Sequence, residues 1–273
     1  MSESRPLEGV RVIVTGASRG LGRAIAIACA AGGATVGLNF NRSEADARRT
    51  ADGLGVSAIL LEFDVQDPAA VTAGVQAFVE RTGGLDALVN NAAIVRPSLL
   101  ISASEEEIDA VIRTNLTGVI ACTRAALAPM LRQRRGVILN VSSVAAGRPS
   151  RGQAVYAATK GAVEAFTRAV AVEYGRKGLR CECISPGPMD TEMFASTRAL
   201  GGEDVLQRTP WTRFVTVEEV AAVAVHVLSG RTGADNGSVH TIDGTSAPKA
   251  SSPKGSSPKA SAPKGSSPKG VTG

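Results

Sequence analysis

Tyr156 and Lys160 stand four residues apart and form a pair whose residue types are suited to proton transfer. The chain has two tyrosines, and before residue 249 its lysines are Lys160 and Lys177, although arginine is frequent. Spacing of i, i+4 places both side chains on one helix face. An ammonium beside a phenol favours the phenolate, so we expect the pKa of Tyr156 to fall below its usual ~10. The pair therefore predicts a phenol that exchanges a proton near neutral pH.

The same spacing occurs on ordinary exposed helix faces, so the interpretation needs a cofactor site. A short apolar run precedes the glycine-rich segment Thr15–Gly22, and a helical pattern follows it. Gly16 permits the tight turn, Gly20 lets backbone approach a phosphate, and Gly22 allows close helix packing. The helix N-terminus supplies N–H groups for a pyrophosphate. The alternative is a purely structural turn between strand and helix.

The choice between the two dinucleotides depends on the end of the second strand. Residues 34–40 are apolar in character and lead into Asn41, Arg42 and Ser43. Binders of the unphosphorylated dinucleotide usually carry an acid here. Two guanidinium groups, Arg42 and Arg19, would instead grip a 2′-phosphate. Either arginine alone could be a solvated surface charge, but together they favour NADP(H).

With these motifs the chain, over residues 7–245, resembles the short-chain dehydrogenase/reductase family. Six elements in order carry the resemblance. They are the cofactor loop Thr15–Gly22, Asp64-Val65 after the third strand, Asn90-Asn91-Ala92-Ala93 after the fourth, Asn115 in a helix, Ser143 thirteen residues before Tyr156, and Pro186–Thr191.

The resemblance assigns catalytic roles to four residues. Ser143 would polarise a substrate carbonyl and Tyr156 would protonate its oxygen. Lys160 would lower the pKa of Tyr156 and bond the nicotinamide ribose, and Asn115 would hold a water that connects Lys160 to solvent. The alternatives are a strand-end hydroxyl for Ser143 and a plain helix amide for Asn115. Ser142 is interpreted as the structural member of its pair.

The cofactor-binding residues follow from the same motifs. They are Thr15, Gly16, Ser18, Arg19, Gly20, Leu21, Gly22, Asn41, Arg42, Ser43, Asp64, Val65, Asn91, Ala92, Ala93, Tyr156, Lys160, Pro186, Gly187, Met189 and Thr191. Three positions depart from the family pattern: Ala93 replaces a glycine, Glu182 replaces an asparagine, and Asp243-Gly244-Thr245 shortens the usual Asp-Gly-Gly ending. None of the three carries chemistry.

Length and composition agree with a large α/β domain over residues 1–246. Strand-like runs at 11–14, 34–38, 57–63, 86–90, 136–141, 179–184 and 237–242 alternate with helical stretches. This alternation predicts a doubly wound, Rossmann-type parallel sheet of about seven strands with helices on both faces. No apolar run reaches 18 residues and the N-terminus lacks a signal-peptide core, so we expect a cytoplasmic protein without membrane contact.

The four cysteines are scattered, and Cys181 and Cys183 share a strand face. No histidine stands near this pair in sequence, so we interpret the cysteines as buried small apolar side chains and predict no metal site. A reducing compartment follows. His226 and His240 belong to no catalytic motif and are interpreted as structural.

Residues 247–273 are a separate segment with proline followed by lysine every five residues. The segment contains five lysines and no acid, and the remaining residues carry 25 basic and 25 acidic side chains. This composition cannot bury a core, so disorder is expected. A solubilising extension and a weak contact with nucleic acid or another polyanion are both open.

The substrate is less constrained. The chain looks most like reductases of 3-oxoacyl groups on acyl carrier protein, enzymes of fatty acid biosynthesis. Residues 189–211 would form a lid over the substrate, and residues 144–153 the opposite wall. Clustered arginines at helix ends, among them Arg132, Arg135 and Arg176, would suit the acidic carrier, or simply the helix dipoles. A reductase of a free sugar, polyol or steroid and a binding protein without turnover are the alternatives. Family members often form tetramers, so a homotetramer or dimer is expected.

Overall fold

The computed structural model describes residues 5–54, 58–190 and 213–245. Seven strands alternate with seven helices in this part of the chain. The elements are β1 Arg11–Val14, α1 Gly20–Ala31, β2 Thr35–Phe40, α2 Glu44–Leu54, β3 Ala58–Glu62, α3 Pro68–Thr82, β4 Ala87–Asn90, α4 Glu105–Ile112, α5 Gly118–Gln133, β5 Gly136–Val141, α6 Ala154–Tyr174, β6 Leu179–Pro186, α7 Val217–Leu228 and β7 Val239–Ile242. Single turns of 3-10 helix lie at Leu100–Ser102, Val144–Ala146 and Gly175–Lys177, and a π-helical turn at Arg113–Thr117 joins α4 to α5.

The strands form one parallel sheet in the order β3-β2-β1-β4-β5-β6-β7. The order reverses between β1 and β4, which is the switch point of a doubly wound fold. The predicted fold class is therefore confirmed. Parallel strands are buried on both faces, and this explains why the strands read as nearly continuous apolar runs.

Two apolar clusters cover the two faces of the sheet. On one face α1 and α7 pack against the strands, with Ile25 and Val220 fully buried. On the other face α3, α5 and α6 pack, with Phe78 and Met130 fully buried. The helices on both faces hold the strand ends rigidly, so the loops after the strands start from fixed positions.

Local chemistry sets several helix ends. The Asp67 side chain accepts hydrogen bonds from the N–H groups of Ala69 and Ala70, and Pro68 begins α3. Gly83 ends α3 in the left-handed region at φ 78°. Capping boxes begin α4 at Ser104 and α7 at Thr216.

Within the described residues, no helix combines the length and the apolar character that crossing a bilayer requires.

Candidate active site

The glycine-rich turn between β1 and α1 has the geometry that its sequence predicts. Gly16 and Gly20 adopt φ values of 63° and 56°, which side chains rarely tolerate. A Cβ atom at Gly22 would lie 2.3 Å from the Gly16 carbonyl oxygen, so this helix position must be glycine. A Cβ atom at Gly20 would meet nothing within 4 Å. Gly22 therefore packs the helix against the turn, whereas Gly20 faces open space at the amino end of α1.

Two side chains fix this turn to the end of β4. Thr15 Oγ1 accepts hydrogen bonds from the N–H groups of Asn91, at 2.9 Å, and Ala92, at 3.0 Å. The Asn91 amide donates in return to the carbonyl oxygens of Thr15, at 2.9 Å, and Gly16, at 3.2 Å. Thr15 thus lies behind the turn and supports it.

Asn39 supports the glycine-rich turn and was not among the residues predicted from the sequence. It is buried in β2, and its side-chain oxygen accepts a hydrogen bond from the Gly16 N–H at 3.1 Å. Its amide donates to the carbonyl oxygens of Leu61, at 3.2 Å, and Phe63, at 3.0 Å. Its own carbonyl accepts from the N–H of Ala17 at 2.8 Å. The available signal was an asparagine inside an otherwise apolar buried strand.

A cleft of about 1120 Å³ runs along the carboxyl edge of the sheet, where β1 to β6 end. The predicted site residues that line it are Gly16, Ser18, Arg19, Gly20, Leu21, Asn41, Arg42, Ser43, Asp64, Val65, Asn91, Ala92, Ala93, Ser143, Tyr156, Lys160, Pro186, Gly187 and Met189. Thr15, Gly22 and Asn115 lie behind the lining, and Thr191 falls outside the described residues, as does most of the expected lid. Five residues of the 144–153 loop also line the cleft: Val144, Ala145, Arg148, Ser150 and Gln153.

At one end of the cleft, Arg19, Arg42 and Ser43 surround the space beyond β2. The nearby carboxylate of Asp64 is engaged by its neighbours. It accepts from the Asn41 amide at 2.9 Å and from the backbone N–H of Gln66 at 2.9 Å. Among the charged residues that line this end of the cleft, two guanidinium groups therefore face one carboxylate, and the balance is positive.

At the other end, the side chains of Ser143 and Tyr156 are neighbours in the lining of the cleft. Ser143 follows β5, and its hydroxyl oxygen accepts from the Ala145 N–H at 3.2 Å. Burial raises the pKa of Tyr156, and the nearby Ser143 hydroxyl offsets part of that rise. The expectation of a lowered Tyr156 pKa is therefore wrong, because loss of solvation outweighs the stabilisation available to the phenolate.

Lys160 lies beneath this pair and is 3% exposed. Its ammonium donates to the carbonyl oxygen of Val141 at 2.7 Å and stands 5.7 Å from the centre of the Tyr156 ring. Burial lowers the pKa of Lys160 to about 8, against a smaller opposing effect of Cys183. The pKa of Lys160 is therefore closer to neutral pH than that of an exposed lysine. Its ammonium stands near the Tyr156 ring and makes no direct ion pair with the phenol oxygen.

Ser142 has the structural role expected of it. Its hydroxyl lies 3.1 Å from the Lys160 carbonyl oxygen and 2.9 Å from a carboxylate oxygen of Glu164. These contacts join the end of β5 to α6, the helix that carries Tyr156 and Lys160.

Asn115 lies in the π-helical turn and is fully buried. Its side chain exchanges two hydrogen bonds with the backbone of Ile94, at 2.8 and 2.9 Å, and lies 3.4 Å from Thr159 Oγ1. The Thr159 hydroxyl donates to the Tyr156 carbonyl oxygen at 2.7 Å. Asn115 therefore connects the loop after β4 to α6. The sequence predicted a helical asparagine but not the extra residue in the turn, a feature frequent at functional sites.

The clustered arginines lie elsewhere than expected. Arg132 and Arg135 end α5 just before β5, and Arg176 follows α6 just before β6. In a parallel sheet these positions lie at the amino edge, opposite the cleft. Arg135 also pairs with Asp86 at 3.1 Å. The hypothesis of a basic patch at the cleft mouth formed by these residues is therefore wrong within one chain.

The cysteine interpretation is confirmed. Cys29, Cys122, Cys181 and Cys183 are free and buried, and burial raises the pKa of each thiol to about 12. Such thiols are unreactive at neutral pH. Across the described parts of the chain, no three His, Cys, Asp or Glu side chains are grouped to hold a metal ion.

The glycine-rich turn, the helix N-terminus behind it and the Ser-Tyr-Lys cluster together define a dinucleotide-binding oxidoreductase fold. The family model described as short chain dehydrogenase matches residues 11–200. The chain is 38% identical over 238 residues to the 3-oxoacyl-[acyl-carrier-protein] reductase FabG of Chlamydia muridarum, covering 86% of this chain and 96% of that protein. It is 37% identical over 226 residues to the protein of the same name from Vibrio cholerae, covering 82% and 91%. A 3-oxoacyl-[acyl-carrier-protein] reductase of Synechocystis is 39% identical over 212 residues, covering 77% and 85%.

The chain belongs to the short-chain dehydrogenase/reductase family. It is an oxidoreductase that acts on the alcohol–carbonyl pair.

Proposed function

We propose that this protein is an NADPH-dependent reductase of 3-oxoacyl groups carried on acyl carrier protein. The observation that carries the proposal is the neighbouring Ser143 and Tyr156 side chains above a buried Lys160, at one end of a cleft whose other end is cationic. Similarity over most of the chain to reductases of that name supports the substrate class.

The residues present fit a nicotinamide dinucleotide. Because Gly22 has no side chain, α1 can pack closely against the turn. The space beside Gly20 is open at the amino end of α1, where a pyrophosphate would accept hydrogen bonds from backbone N–H groups. Arg19, Arg42 and Ser43 would hold the 2′-phosphate of NADPH. The reactive end would lie along Pro186 and Gly187 toward Tyr156.

The protein would supply orientation and the proton. The bound cofactor would deliver a hydride to the carbonyl carbon. Ser143 would donate a hydrogen bond to the carbonyl oxygen, and Tyr156 would transfer its proton to that oxygen as the C=O bond becomes a C–OH bond. A raised pKa keeps the proton on Tyr156 at neutral pH, which suits reduction. Lys160 would stabilise the Tyr156 phenolate that remains after proton transfer, and it would bond the nicotinamide ribose. Asn115 would hold a water through which Tyr156 is reprotonated.

The test is a substrate panel with the purified enzyme, NADPH and NADH. It should contain acetoacetyl-acyl carrier protein, a neutral acetoacetyl thioester, and representative ketones of sugars, polyols and steroids. We expect the highest kcat/KM with the carrier substrate and NADPH. A higher value with a free ketone would favour the other reductase class, and a preference for NADH would contradict the role of Arg42. Cofactor binding without turnover of any substrate would identify a binding protein.

We also propose self-association. Val172 on α6 is 83% exposed, and Ile112 and Ile120 around the π-helical turn are 39% and 37% exposed. These apolar side chains lie on the helices after β4 and β5. Sedimentation of the wild type and of Val172→Glu should distinguish an oligomer from a monomer at the same concentration.

A further inference from the structure

The Asn115 side chain makes three hydrogen bonds, and the third is made with the helix that carries Tyr156 and Lys160. Its oxygen and its amide bond the backbone of Ile94, in the loop after β4, at 2.8 and 2.9 Å. The amide also donates to the hydroxyl oxygen of Thr159 at 3.4 Å, and both side chains are buried. Thr159 lies between Tyr156 and Lys160 in α6. A residue with no role assigned so far therefore joins Asn115 to the catalytic turn.

The Thr159 hydroxyl has a fixed polarity. Its single proton is donated to the carbonyl oxygen of Tyr156 at 2.7 Å, so its oxygen is left to accept from Asn115. Each of the two amide N–H groups of Asn115 then has a partner. A buried donor without an acceptor is costly, so removal of the hydroxyl would release the Asn115 side chain from its present position.

A second buried threonine on α6 makes the same kind of contacts away from the cleft. Thr167 donates to the carbonyl oxygen of Val163 at 2.8 Å and accepts from the amide of Asn140 at 2.9 Å. Tyr156, to which Thr159 donates, lines the cleft, whereas Val163 and Asn140 are absent from its lining. The two threonines thus differ in what they are connected to and not in burial or in bonding pattern.

We propose that Thr159 is a positioning residue of the proton relay, an inference that rests on the proposed function. Its hydroxyl fixes the Asn115 amide relative to the helical turn of Tyr156 and Lys160. Asn115 is the residue that would hold the relay water, so this water depends on the same contact. Loss of the hydroxyl slows the return of a proton to Tyr156. Hydride delivery is spared, because the hydroxyl bonds neither Ser143 nor the glycine-rich turn.

The experiment removes the hydroxyl and compares two replacements. Thr159→Val keeps the branched shape, Thr159→Ala removes it, and Thr159→Ser restores a hydroxyl. Thr167→Val is the matched control, because it removes an equally buried hydroxyl that accepts from another asparagine. For each protein the measurements are kcat with acetoacetyl N-acetylcysteamine, the solvent deuterium isotope effect on kcat, the dissociation constant for NADPH and the urea midpoint. This neutral thioester removes any contribution from a carrier protein.

We expect Thr159→Val and Thr159→Ala to lower kcat by about tenfold, the effect of one hydrogen bond lost at a buried group. The solvent isotope effect should rise, because return of the proton becomes slower than hydride transfer. The dissociation constant for NADPH should stay within about twofold of wild type, and Thr159→Ser should restore kcat to within about threefold. Thr167→Val should lower the urea midpoint but keep the wild-type kcat and isotope effect.

A double-mutant cycle with Asn115→Ala tests whether Thr159 acts through Asn115. If it does, addition of Thr159→Val to Asn115→Ala should lower kcat no further, because the contact is already lost.

Three results would overturn the inference. Wild-type kcat and isotope effect in both Thr159→Val and Thr159→Ala would show that the relay does not depend on the hydroxyl. Equal losses of kcat in Thr159→Val and Thr167→Val would reduce Thr159 to a general structural role. Additive effects in the cycle would separate Thr159 from Asn115.

In each of these cases turnover of a 3-oxoacyl thioester by the wild type would leave the proposed function standing. A wild type that reduces no 3-oxoacyl thioester would instead refute the proposed function. The Thr159 variants would then be compared on the ketone that the wild type does reduce.

Discussion

A buried phenol and a buried ammonium, one helical turn apart, dominate the chemistry at the scale of single residues. The sequence predicted both groups from rarity and spacing. It predicted the wrong direction for the pKa of Tyr156, because burial cannot be read from an i, i+4 pattern and desolvation opposes charge on either group.

Removal of the Tyr156 hydroxyl tests the proton donor. Tyr156→Phe keeps the ring and should lower kcat by at least ~10²-fold, because general acid catalysis contributes that much or more. Affinity for NADPH should change little. Tyr174→Phe at the end of the same helix is the control and should keep wild-type turnover. More than about a hundredth of wild-type activity in Tyr156→Phe would exclude this residue as the donor.

Lys160 should cost stability at neutral pH. Its folded-state pKa of about 8 lies below the ordinary lysine value of 10.5, so the unfolded chain binds more protons between these values. The stability contributed by this group therefore rises as the pH increases from about 8 to 10.5. Lys160→Met should stabilise the fold at pH 7, by up to about 3 kcal/mol, and abolish turnover.

The measurement is urea unfolding of both proteins between pH 7 and 9.5. The four buried thiols, with pKa values near 12, act in the opposite direction above pH 9, because the folded state keeps protons that the unfolded chain loses. Only the difference between the two proteins isolates Lys160. That difference should shrink as the pH rises through 8, and a constant difference would mean that the ammonium is not penalised.

Asn39 should act on the cofactor through Gly16. Asn39→Ala removes the acceptor of the Gly16 N–H, so the turn loses order and the dissociation constant for NADPH should rise by about tenfold, with kcat nearly unchanged. Asn140→Ala is the control. Asn140 is an equally buried strand asparagine whose amide donates to Thr167, so its loss should lower stability but not cofactor affinity. Equal loss of affinity in both variants would reduce Asn39 to a general structural role.

At the scale of elements, the strands predicted from the sequence match the observed strands to within two residues at each end. Val239–Ile242 was expected from 237, and Thr35–Phe40 was expected to end at 38. Apolar runs report burial on both faces of a parallel sheet, and this is why they worked. The π-helical turn at Arg113–Thr117 could not be predicted from the sequence. One extra residue in a short helix does not visibly change the spacing of its apolar residues.

The edge strand β7 is attached to β6 by buried charge. Glu182, fully buried, pairs with Arg180 and lies 2.6 Å from His240 Nε2 on β7. From the sequence, Glu182 was a departure from the family pattern and His240 was interpreted as structural. The contact between the two side chains accounts for the acid at position 182 and for the structural role of the histidine. Sequence alone could not join positions 58 residues apart.

His240→Ala should therefore lower the free energy of unfolding by about 1.5–3 kcal/mol, because a buried carboxylate loses a hydrogen-bond donor. The exposed His226→Ala, near the end of α7, should stay within about 0.5 kcal/mol of wild type. In Glu182→Asn, which restores the residue usual in the family, the His240 substitution should cost less. Urea unfolding of the four proteins completes a double-mutant cycle, and additive effects would show that the two residues are not coupled.

At the scale of the whole molecule, charge is unevenly distributed along the chain. The five lysines of residues 247–273 account for the net charge of +5, and the other residues carry 25 basic and 25 acidic side chains. Every motif of the candidate site lies before residue 192. The positions of the arginines relative to the cleft could not be predicted from the sequence. Similar runs of arginine at helix ends can lie at either the amino or the carboxyl edge of the sheet.

A chain ending at Thr245 should keep its fold, its NADPH affinity and its turnover, because the described core and cleft are complete without the repeats. Its isoelectric point should fall from about 9.3 to near neutral, since five lysines are removed.

If the repeats bind polyanions, the full-length protein should bind duplex DNA weakly. Five phosphate contacts would give a slope of log K against log salt of roughly −4 to −5, and the shortened chain should lose this binding. A salt titration of both proteins, run beside a kinetic assay, is the measurement. Equal DNA binding by the two would exclude the repeats as the binding element, and loss of turnover on truncation would show that they reach the active site or a subunit interface.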